Sequence, residues 1–256
     1  MKNFIIVGVQ RTGSSALAES IGLHPQVASG WEWTQKVSWV KKISAAERGL
    51  AGDFTLLPSN EQKHMASVFQ TDMEWLGFRR LFRASDKWIG HPCMAPALWV
   101  DRLEDHILWL RGRRDIHIIH LVRRQTLDWL KSVYVAKATN YYVNQKYPAD
   151  LRIKVPELKA IARVKTKNWV DYRLSKLCSS NSYLRIYYED LSNDREGVCA
   201  EALRFLGFSP DNIELANPQL QKQSNGGPSD YIVNYSRLYR ALNRLNLLLS
   251  TLDNSS

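Results

Sequence analysis

A short apolar run at the start of the chain, followed by a loop with two glycines, limits the possible folds most strongly. Phe4-Ile-Ile-Val7 is apolar and mostly β-branched, which is typical of a parallel strand buried on both faces. Gly8-Val-Gln-Arg-Thr-Gly13-Ser14-Ser15 follows it directly. Thr12, Ser14 and Ser15 are capping residues, and they predict a helix that ends before His24-Pro25. The chain therefore opens with a strand, a glycine loop and a helix.

The same alternation recurs twice further along the chain. Ile116 to Val122 predicts a second buried strand, followed by a helix from about Thr126 to Ala138. Tyr183 to Tyr187 predicts a third strand, and a helix from about Asp194 to Leu206 follows and ends at Gly207. This alternation predicts an α/β fold: a P-loop-type doubly wound sandwich with a central, mostly parallel sheet flanked by helices.

Three further segments have helical periodicity. Helices are expected from about Ala97 to Arg113 and from about Leu158 to Leu177. A last helix, from about Asn234 to Leu252, would carry a stripe of apolar residues: Tyr235, Leu238, Leu242, Leu245, Leu249 and Leu252. We expect this helix to lie on the domain, while a dimer contact and peripheral docking to a membrane stay open. The oligomeric state is not fixed by the sequence.

The composition is that of one domain over residues 1–256. The chain is 45% hydrophobic and contains no linker-like segment or internal repeat. Its three cysteines, Cys93, Cys178 and Cys199, form no C-x-x-C pair, so neither a disulfide framework nor a zinc site is expected. The first apolar run is too short for a signal sequence or a membrane span, and we expect a cytoplasmic protein.

The balance of charge indicates an anionic partner. The formal net charge is +10 and the isoelectric point is about 9.5. The basic residues are spread along the chain, and no zinc-finger or RNP-like motif is present, which disfavours nucleic acid. A small phosphate-rich molecule or an acidic membrane surface remains.

The glycine loop has the spacing of a phosphate-binding loop, G-x-x-x-x-G-K-[ST], but Ser14 occupies the lysine position. Free N–H groups and the dipole at the start of the helix would attract an anion. An NTPase needs that lysine and an acid near a strand end for magnesium, whereas the second strand here ends in Arg123-Arg124. A sulfuryl group carries less negative charge than a phosphoryl group, so cationic side chains and N–H donors can suffice. The loop therefore points away from ATP.

Four separated segments resemble the sulfotransferase superfamily, and within it the bacterial nodulation-factor and lipopolysaccharide-type enzymes. They are Val7 to Leu17 with His24-Pro25, His120-Leu-Val-Arg-Arg124 with Ser132, Tyr188-Glu-Asp-Leu191 with Phe205-Leu-Gly207, and Leu220-Gln-Lys-Gln223 with Ile232-Val-Asn234. The resemblance implies sulfuryl transfer from 3'-phosphoadenosine 5'-phosphosulfate (PAPS) to a hydroxyl of a carbohydrate, lipid or other small acceptor. It implies no metal.

Residues that would bind the cofactor follow from the resemblance. The first segment would hold the 5'-phosphosulfate and the second the 3'-phosphate, with Tyr188 and Lys222 as further contacts. The full set is Arg11, Thr12, Gly13, Ser14, Ser15, Arg124, Ser132, Tyr188 and Lys222. Ala16 stands where many eukaryotic members carry a tryptophan that stacks on adenine, so the adenine contact must differ here.

Catalysis is assigned to Arg11, Glu32 and His91. Arg11 would balance charge on the bridging oxygen in the transition state. Glu32 lies at a chain position where related bacterial enzymes place a glutamate, and among Trp31, Trp33 and Trp39 its pKa would rise toward that of an effective base. His91 is the alternative base, and His120 a third candidate.

Two other functions remain as alternatives. A nucleotide-dependent kinase on the same loop would require magnesium. A non-catalytic nucleotide-binding or nucleic-acid-binding protein would bind polynucleotide in a salt-sensitive way without forming a product.

Overall fold

A sheet of five parallel strands forms the centre of the computed structural model, which describes residues 2–24, 27–29, 75–82, 103–141, 146–148, 150–210 and 226–248. The strand order is β2-β3-β1-β4-β5. The strands are β1 (Lys2–Val9), β2 (Val27–Ser29), β3 (Trp75–Phe82), β4 (Ile116–Val122) and β5 (Tyr183–Tyr187). The α/β fold with a parallel sheet flanked by helices is therefore confirmed.

Helices follow or connect these strands. They are α1 (Ser14–Ile21), α2 (Leu103–Gly112), α3 (Thr126–Thr139), α4 (Glu157–Ser175), α5 (Tyr188–Asn193), α6 (Arg195–Phe205), α7 (Pro228–Tyr231) and α8 (Tyr235–Arg244). A 3₁₀ turn, Lys176–Ser179, extends α4. Within the described ranges, no helix is both long and apolar enough to cross a membrane.

The sheet is buried on both faces because alternate residues of each strand point to opposite sides. Ile5, Val7 and Val9 of β1 belong to a core cluster with residues of α2, α3, α4 and α8. Phe4 and Ile6 belong to a second cluster with residues of α1, α5 and α6. This arrangement explains why apolar residues predominate on both faces of β1 and β4.

The ends of parallel strands meet at one edge of the sheet, and this fixes the place of the site. Gly8 of β1 pairs with Leu121 of β4, and Val122 of β4 pairs with Tyr187 of β5. The residues that follow β1, β4 and β5 therefore emerge side by side, as expected for ligand sites of open α/β sheets.

The predicted capping of α1 is wrong. Gly13 is the N-cap residue, and no side chain caps the helix. The hydroxyl of Thr12 is turned back instead and donates to the carbonyl of Val9 at 2.8 Å. The loop thus stabilises its own turn rather than the first N–H groups of α1, which stay directed outward from the helix start.

The last helix is shorter than predicted. It ends at Arg244, where Asn246 adopts φ +51° and the N–H of Leu247 bonds the carbonyl of Leu242. This is a Schellman ending, which an asparagine in the left-handed conformation permits. Leu238 and Leu242 are buried as predicted, whereas Leu245 is exposed and so breaks the expected stripe. Leu249 and Leu252 lie outside the described residues, as do positions 97–102 of the helix predicted from Ala97.

Candidate anion-binding site

The loop between β1 and α1 is held closely by its neighbours at both glycines. A Cβ at Gly8 would lie 2.5 Å from the carbonyl oxygen of Leu121 in β4. Gly13 has φ +87°, and a Cβ there would lie 2.9 Å from Cδ2 of Tyr188. A side chain would therefore collide at either position, and Gly13 also needs the left-handed conformation that glycine adopts freely.

The loop directs polar groups toward the start of α1. Ser14 is buried and Ser15 half-buried in the first turn of that helix. Arg11 has φ +70°, an uncommon conformation for a residue with a side chain, which costs about 1 to 3 kcal/mol and persists only where surroundings enforce it. A helix start with N–H groups and a positive dipole end is suited to an anion.

The Arg11 guanidinium joins the loop to residues far away in the sequence. Its Nε donates to Oγ of Ser132 in α3 at 2.9 Å, and its Nη2 donates to the hydroxyl of Tyr147 at 2.8 Å. Tyr147 also interacts with Ser132 through its hydroxyl. Arg11, Ser132 and Tyr147 thus form a closed triangle of polar side chains, which we call the Arg11 triangle. Burial raises the pKa of Tyr147, so its hydroxyl is neutral at physiological pH.

Two arginines follow β4 and have different surroundings. Arg123 is buried, with 6% of its surface exposed, and its Nη1 donates to the backbone carbonyl of Arg11 at 3.2 Å. Its guanidinium carbon lies 4.0 Å from the ring centre of Tyr188. Burial lowers the pKa of Arg123, but a guanidinium starts so high that it remains charged.

Arg124 points the other way, toward β5 and α5. Its Nη2 lies 2.9 Å from Oδ1 of Asp190, and its guanidinium carbon lies 4.3 Å from the ring centre of Tyr187. Glu189 accepts from the backbone N–H groups of Arg124 and Gln125 at 3.1 and 2.9 Å. Neither carboxylate caps α5, but both pair with Arg124 or with the backbone before α3, and they compensate the positive charge at this edge.

Tyr188 lies between the glycine loop and Arg123. Its ring is in contact with Gly13 on one side and carries the Arg123 guanidinium at cation–π distance. The structure thus brings Tyr188 to the loop, as the sequence suggested. Its contact with adenine remains a prediction.

Behind the loop lies a buried polar cluster that the sequence did not indicate. Lys167 and Asp171, both of α4 and fully buried, are 2.8 Å apart, and Oδ1 of Asp171 is 3.6 Å from Nε2 of His120. Nδ1 of His120 is 2.6 Å from the hydroxyl of Tyr183. Because His120 is fully buried and engaged by Tyr183, it is not placed to accept a proton from a substrate.

The predicted binding residues that the structure describes converge at the strand ends. Arg11 to Ser15, Arg124, Ser132 and Tyr188 all lie around the ends of β1, β4 and β5. Glu32, His91 and Lys222 lie outside the described residues, together with Trp31, Trp33 and Trp39. The structure therefore describes most of the residues that were predicted to bind phosphate, but not the two candidates for the general base.

Sequence reasoning assigned neither Tyr147 nor Trp129 to the glycine loop. Nε1 of Trp129 donates to the carbonyl of Gln10 at 2.9 Å and so supports the loop from α3. Trp129 was part of a predicted helix, but nothing in its spacing distinguishes a loop contact from core packing. Tyr147 lies in a weakly patterned stretch rich in tyrosine and basic residues, which suits a sugar or an acidic acceptor but gives no sign of a contact with Arg11.

The sheet, the glycine loop and the arginines define an α/β protein in which basic side chains surround a glycine loop at a helix start. The chain belongs to the sulfotransferase family, whose family model matches residues 3–212. No curated protein matches the chain.

Solved sulfotransferase structures align with most of the chain at low identity. A sulfotransferase from Alicyclobacillus acidocaldarius is 14% identical, with 96% of this chain and 94% of that chain covered and a TM-score of 0.48. The sulfotransferase domain from the curacin biosynthetic pathway is 14% identical over 95% and 96% of the two chains, with a TM-score of 0.46. Retinol dehydratase, solved with androsterone and the inactive cofactor PAP, is 11% identical over 94% and 80%, with a TM-score of 0.46.

Proposed function

We propose that this protein transfers a sulfuryl group from PAPS to a hydroxyl of a carbohydrate, lipid or other small acceptor by in-line displacement. The observation that carries the proposal is the meeting of Arg11, Arg123 and Arg124 at the edge of the sheet where the glycine loop opens α1. Family membership supplies the reaction class. The geometry supports a donor with negative charge at two separated positions.

The buried groups at this edge fit an anionic nucleotide. Nε of Arg123 is buried and has no hydrogen-bond partner among the described residues. A buried cationic donor without a partner is costly, and an anion at the loop would compensate it. The fork of Arg11 and the N–H groups at the start of α1 would receive the 5'-phosphosulfate. Arg124, Ser132, Tyr188 and Lys222 would bind the remainder of the nucleotide, as the family resemblance implies.

Arg11 has the main catalytic role among the described residues. When bound, the donor supplies a sulfuryl group on a phosphate leaving group, and the bridging oxygen gains charge as the bond breaks. A guanidinium fixed near this oxygen stabilises the transition state more than the ground state. No metal is needed for this stabilisation, because the compensating charge comes from arginine.

We assign the general base to Glu32, with His91 as the alternative. Trp31, Trp33 and Trp39 neighbour Glu32 in the sequence, and a carboxylate that such side chains desolvate would be a better base because its pKa would rise toward neutrality. Single-turnover transfer by Glu32→Gln should fall by about a hundredfold at near-normal cofactor affinity. Nearly full rate in Glu32→Gln, with an inactive His91→Ala that still binds cofactor, would assign the role to the histidine.

Thermal unfolding with and without adenosine 3',5'-bisphosphate tests the proposal directly. A ligand that binds the native state raises its stability by about 2.7 kcal/mol at a hundred times Kd. We expect a clear rise in Tm with the bisphosphate and a much smaller rise with adenosine 5'-monophosphate, which lacks the second phosphate. An equal response to both nucleotides would remove the two-phosphate site.

The same experiment separates the alternatives. A kinase would respond to ATP with magnesium and not to the bisphosphate, and its turnover would stop with a chelator. A non-catalytic binding protein would respond to polynucleotide with strong salt dependence. The single domain over 1–256, the cytoplasmic location and the absence of a metal requirement remain predictions that such assays and localisation would test.

A further inference from the structure

Tyr147 contacts the centre of the proposed site although no sequence motif includes it. Its hydroxyl accepts from Nη2 of Arg11 at 2.8 Å across 136 residues of sequence. It also interacts with Ser132, which itself accepts from Nε of Arg11. Arg11 is expected at the 5' end of the nucleotide and Ser132 at the 3'-phosphate, so Tyr147 touches the residues assigned to both ends.

The ring of Tyr147 is fixed by packing on two sides. It is 92% buried in a small cluster with Val135 of α3 and Tyr231 of α7, and Tyr231 lies edge-on with ring centres 6.3 Å apart. A side chain locked by its neighbours holds a partner in one orientation at little entropic cost. The hydroxyl is therefore an anchor rather than a mobile group.

The triangle fixes the side chain of Arg11, whose Nε and Nη2 bond the hydroxyls of Ser132 and Tyr147. The left-handed backbone of Arg11 is held by Arg123 through its carbonyl. The side chain and the backbone of Arg11 are thus both fixed before ligand arrives, and binding to a preorganised group costs less conformational entropy.

We propose that Tyr147 is a positioning residue that presets the Arg11 guanidinium and the Ser132 hydroxyl for a ligand with phosphate at two ends. Removing the Tyr147 hydroxyl lowers the affinity for adenosine 3',5'-bisphosphate because Arg11 must then be ordered by the ligand itself. The inference rests on the proposed function for the identity of that ligand. It deepens the function by adding a residue that couples the two phosphate positions.

A double-mutant cycle on the full chain tests this role without any acceptor. Binding of adenosine 3',5'-bisphosphate is measured calorimetrically for the unchanged protein, Tyr147→Phe, Arg11→Ala and the double variant. We expect Tyr147→Phe to weaken binding about five- to tenfold, the range of one net hydrogen bond, and by less than about twofold in the Arg11→Ala background. Phenylalanine keeps the ring in the cluster, and Tm verifies that the fold is intact.

Tyr141→Phe is the matched control, because Tyr141 packs against the same cluster and the substitution also removes only a tyrosine hydroxyl. It should bind the bisphosphate as the unchanged protein does. If Tyr147→Phe weakened binding equally with Arg11 present and with Arg11 replaced by Ala, the positioning role would be overturned. Tighter binding by Tyr147→Phe would also overturn it, because Tyr147 would then hold Arg11 away from the ligand. No bisphosphate binding by the unchanged protein would instead refute the proposed function.

Discussion

Oγ of Ser132 accepts a hydrogen bond from Nε of Arg11 at 2.9 Å, although 121 residues separate them in the chain. The family resemblance predicts a 3'-phosphate contact for Ser132 and a 5'-phosphosulfate contact for Arg11. Their contact joins the two halves of the expected nucleotide site into one polar group. A substitution at either residue should therefore weaken the binding of both phosphate groups of the nucleotide.

Replacing Arg11 by Ala should lower the rate of donor cleavage more than the affinity for the nucleotide. Its contact strengthens as charge builds on the leaving phosphate, so the transition state loses more than the ground state. Single-turnover conversion of PAPS, with binding measured separately, gives both quantities. Equal losses would make Arg11 a simple clamp. A chelator should leave the rate of the unchanged protein nearly intact.

Arg124→Ala and Ser132→Ala should each weaken binding of adenosine 3',5'-bisphosphate, Arg124→Ala the more strongly. Both contacts are charge-assisted because the phosphate is ionised, and such a hydrogen bond contributes about 1.5 to 3 kcal/mol. Arg124 should matter more because its guanidinium also brings a positive charge. Calorimetry of the two variants measures the difference. Unchanged affinity in both would remove the 3'-phosphate assignment.

The neighbouring Arg123 is not a suitable control for Arg124. It points away from Arg124, as adjacent residues of an extended chain do, but it is buried against Tyr188 and bonds the backbone of Arg11. Its replacement would disturb the loop itself. Arg204, exposed at the end of α6, is the better control, and Arg204→Ala should not change nucleotide affinity.

The strands near the site were predictable where a buried apolar run has clear limits. Ile116–Val122 and Tyr183–Tyr187 have the bounds that the sequence indicates, because each is bordered by charged or turn-forming residues. Trp75–Phe82 was not predicted, since Gly77, Arg79 and Arg80 interrupt its apolar pattern. Its pairing with both β1 and β2 shows that it lies inside the sheet.

The contacts that assemble the site were not predictable from spacing. Periodicity places Ser132 and Trp129 on a helix, but it does not show that both contact a loop more than a hundred residues away in the chain. The Lys167 and Asp171 pair has the i to i+4 spacing of an exposed helical ion pair, yet it is fully buried because α4 packs across the sheet. Tertiary packing decided these cases.

Asp171→Asn should destabilise the protein strongly, whereas Asp115→Asn should have little effect. The Lys167–Asp171 pair is fully buried, and loss of one partner leaves a buried charge uncompensated, which costs about 3 to 5 kcal/mol. Asp115 forms an ion pair of similar length, 2.6 Å, with Arg113 at the surface, where pairs contribute about 0 to 1 kcal/mol. Denaturant unfolding of both variants measures the contrast; similar losses would contradict it.

Stability should also decline as the pH falls from about 7 to 5. Burial lowers the pKa of His120 below that of the unfolded chain, about 6.5, and outweighs the attraction of Asp171. The unfolded state therefore binds more protons than the folded state in this range. The stability that neutral His120 contributes is fully present above pH 6.5 and is lost as the pH falls. Lys167 and Arg185 also face His120 and oppose its protonation. In His120→Gln the unfolding free energy should fall less between pH 7 and pH 5 than in the unchanged protein. An equal fall in both proteins would show that His120 is not its cause.

Gly13→Ala should be far more damaging than Gly207→Ala, although both glycines have nearly the same backbone. Their φ angles are +87° and +90°, so alanine pays a similar conformational cost at each, about 1 to 2 kcal/mol. At Gly207 a Cβ meets nothing within 4 Å, whereas at Gly13 it meets Cδ2 of Tyr188 at 2.9 Å. Tyr188 cannot simply turn aside, because Arg123 lies against its ring. We therefore expect Gly13→Ala to lose both stability and bisphosphate affinity, and Gly207→Ala to lose only stability. Chemical denaturation and calorimetry on the two variants decide the matter: an equal loss of stability, with nucleotide binding kept in both, would mean that the loop tolerates a side chain against Tyr188.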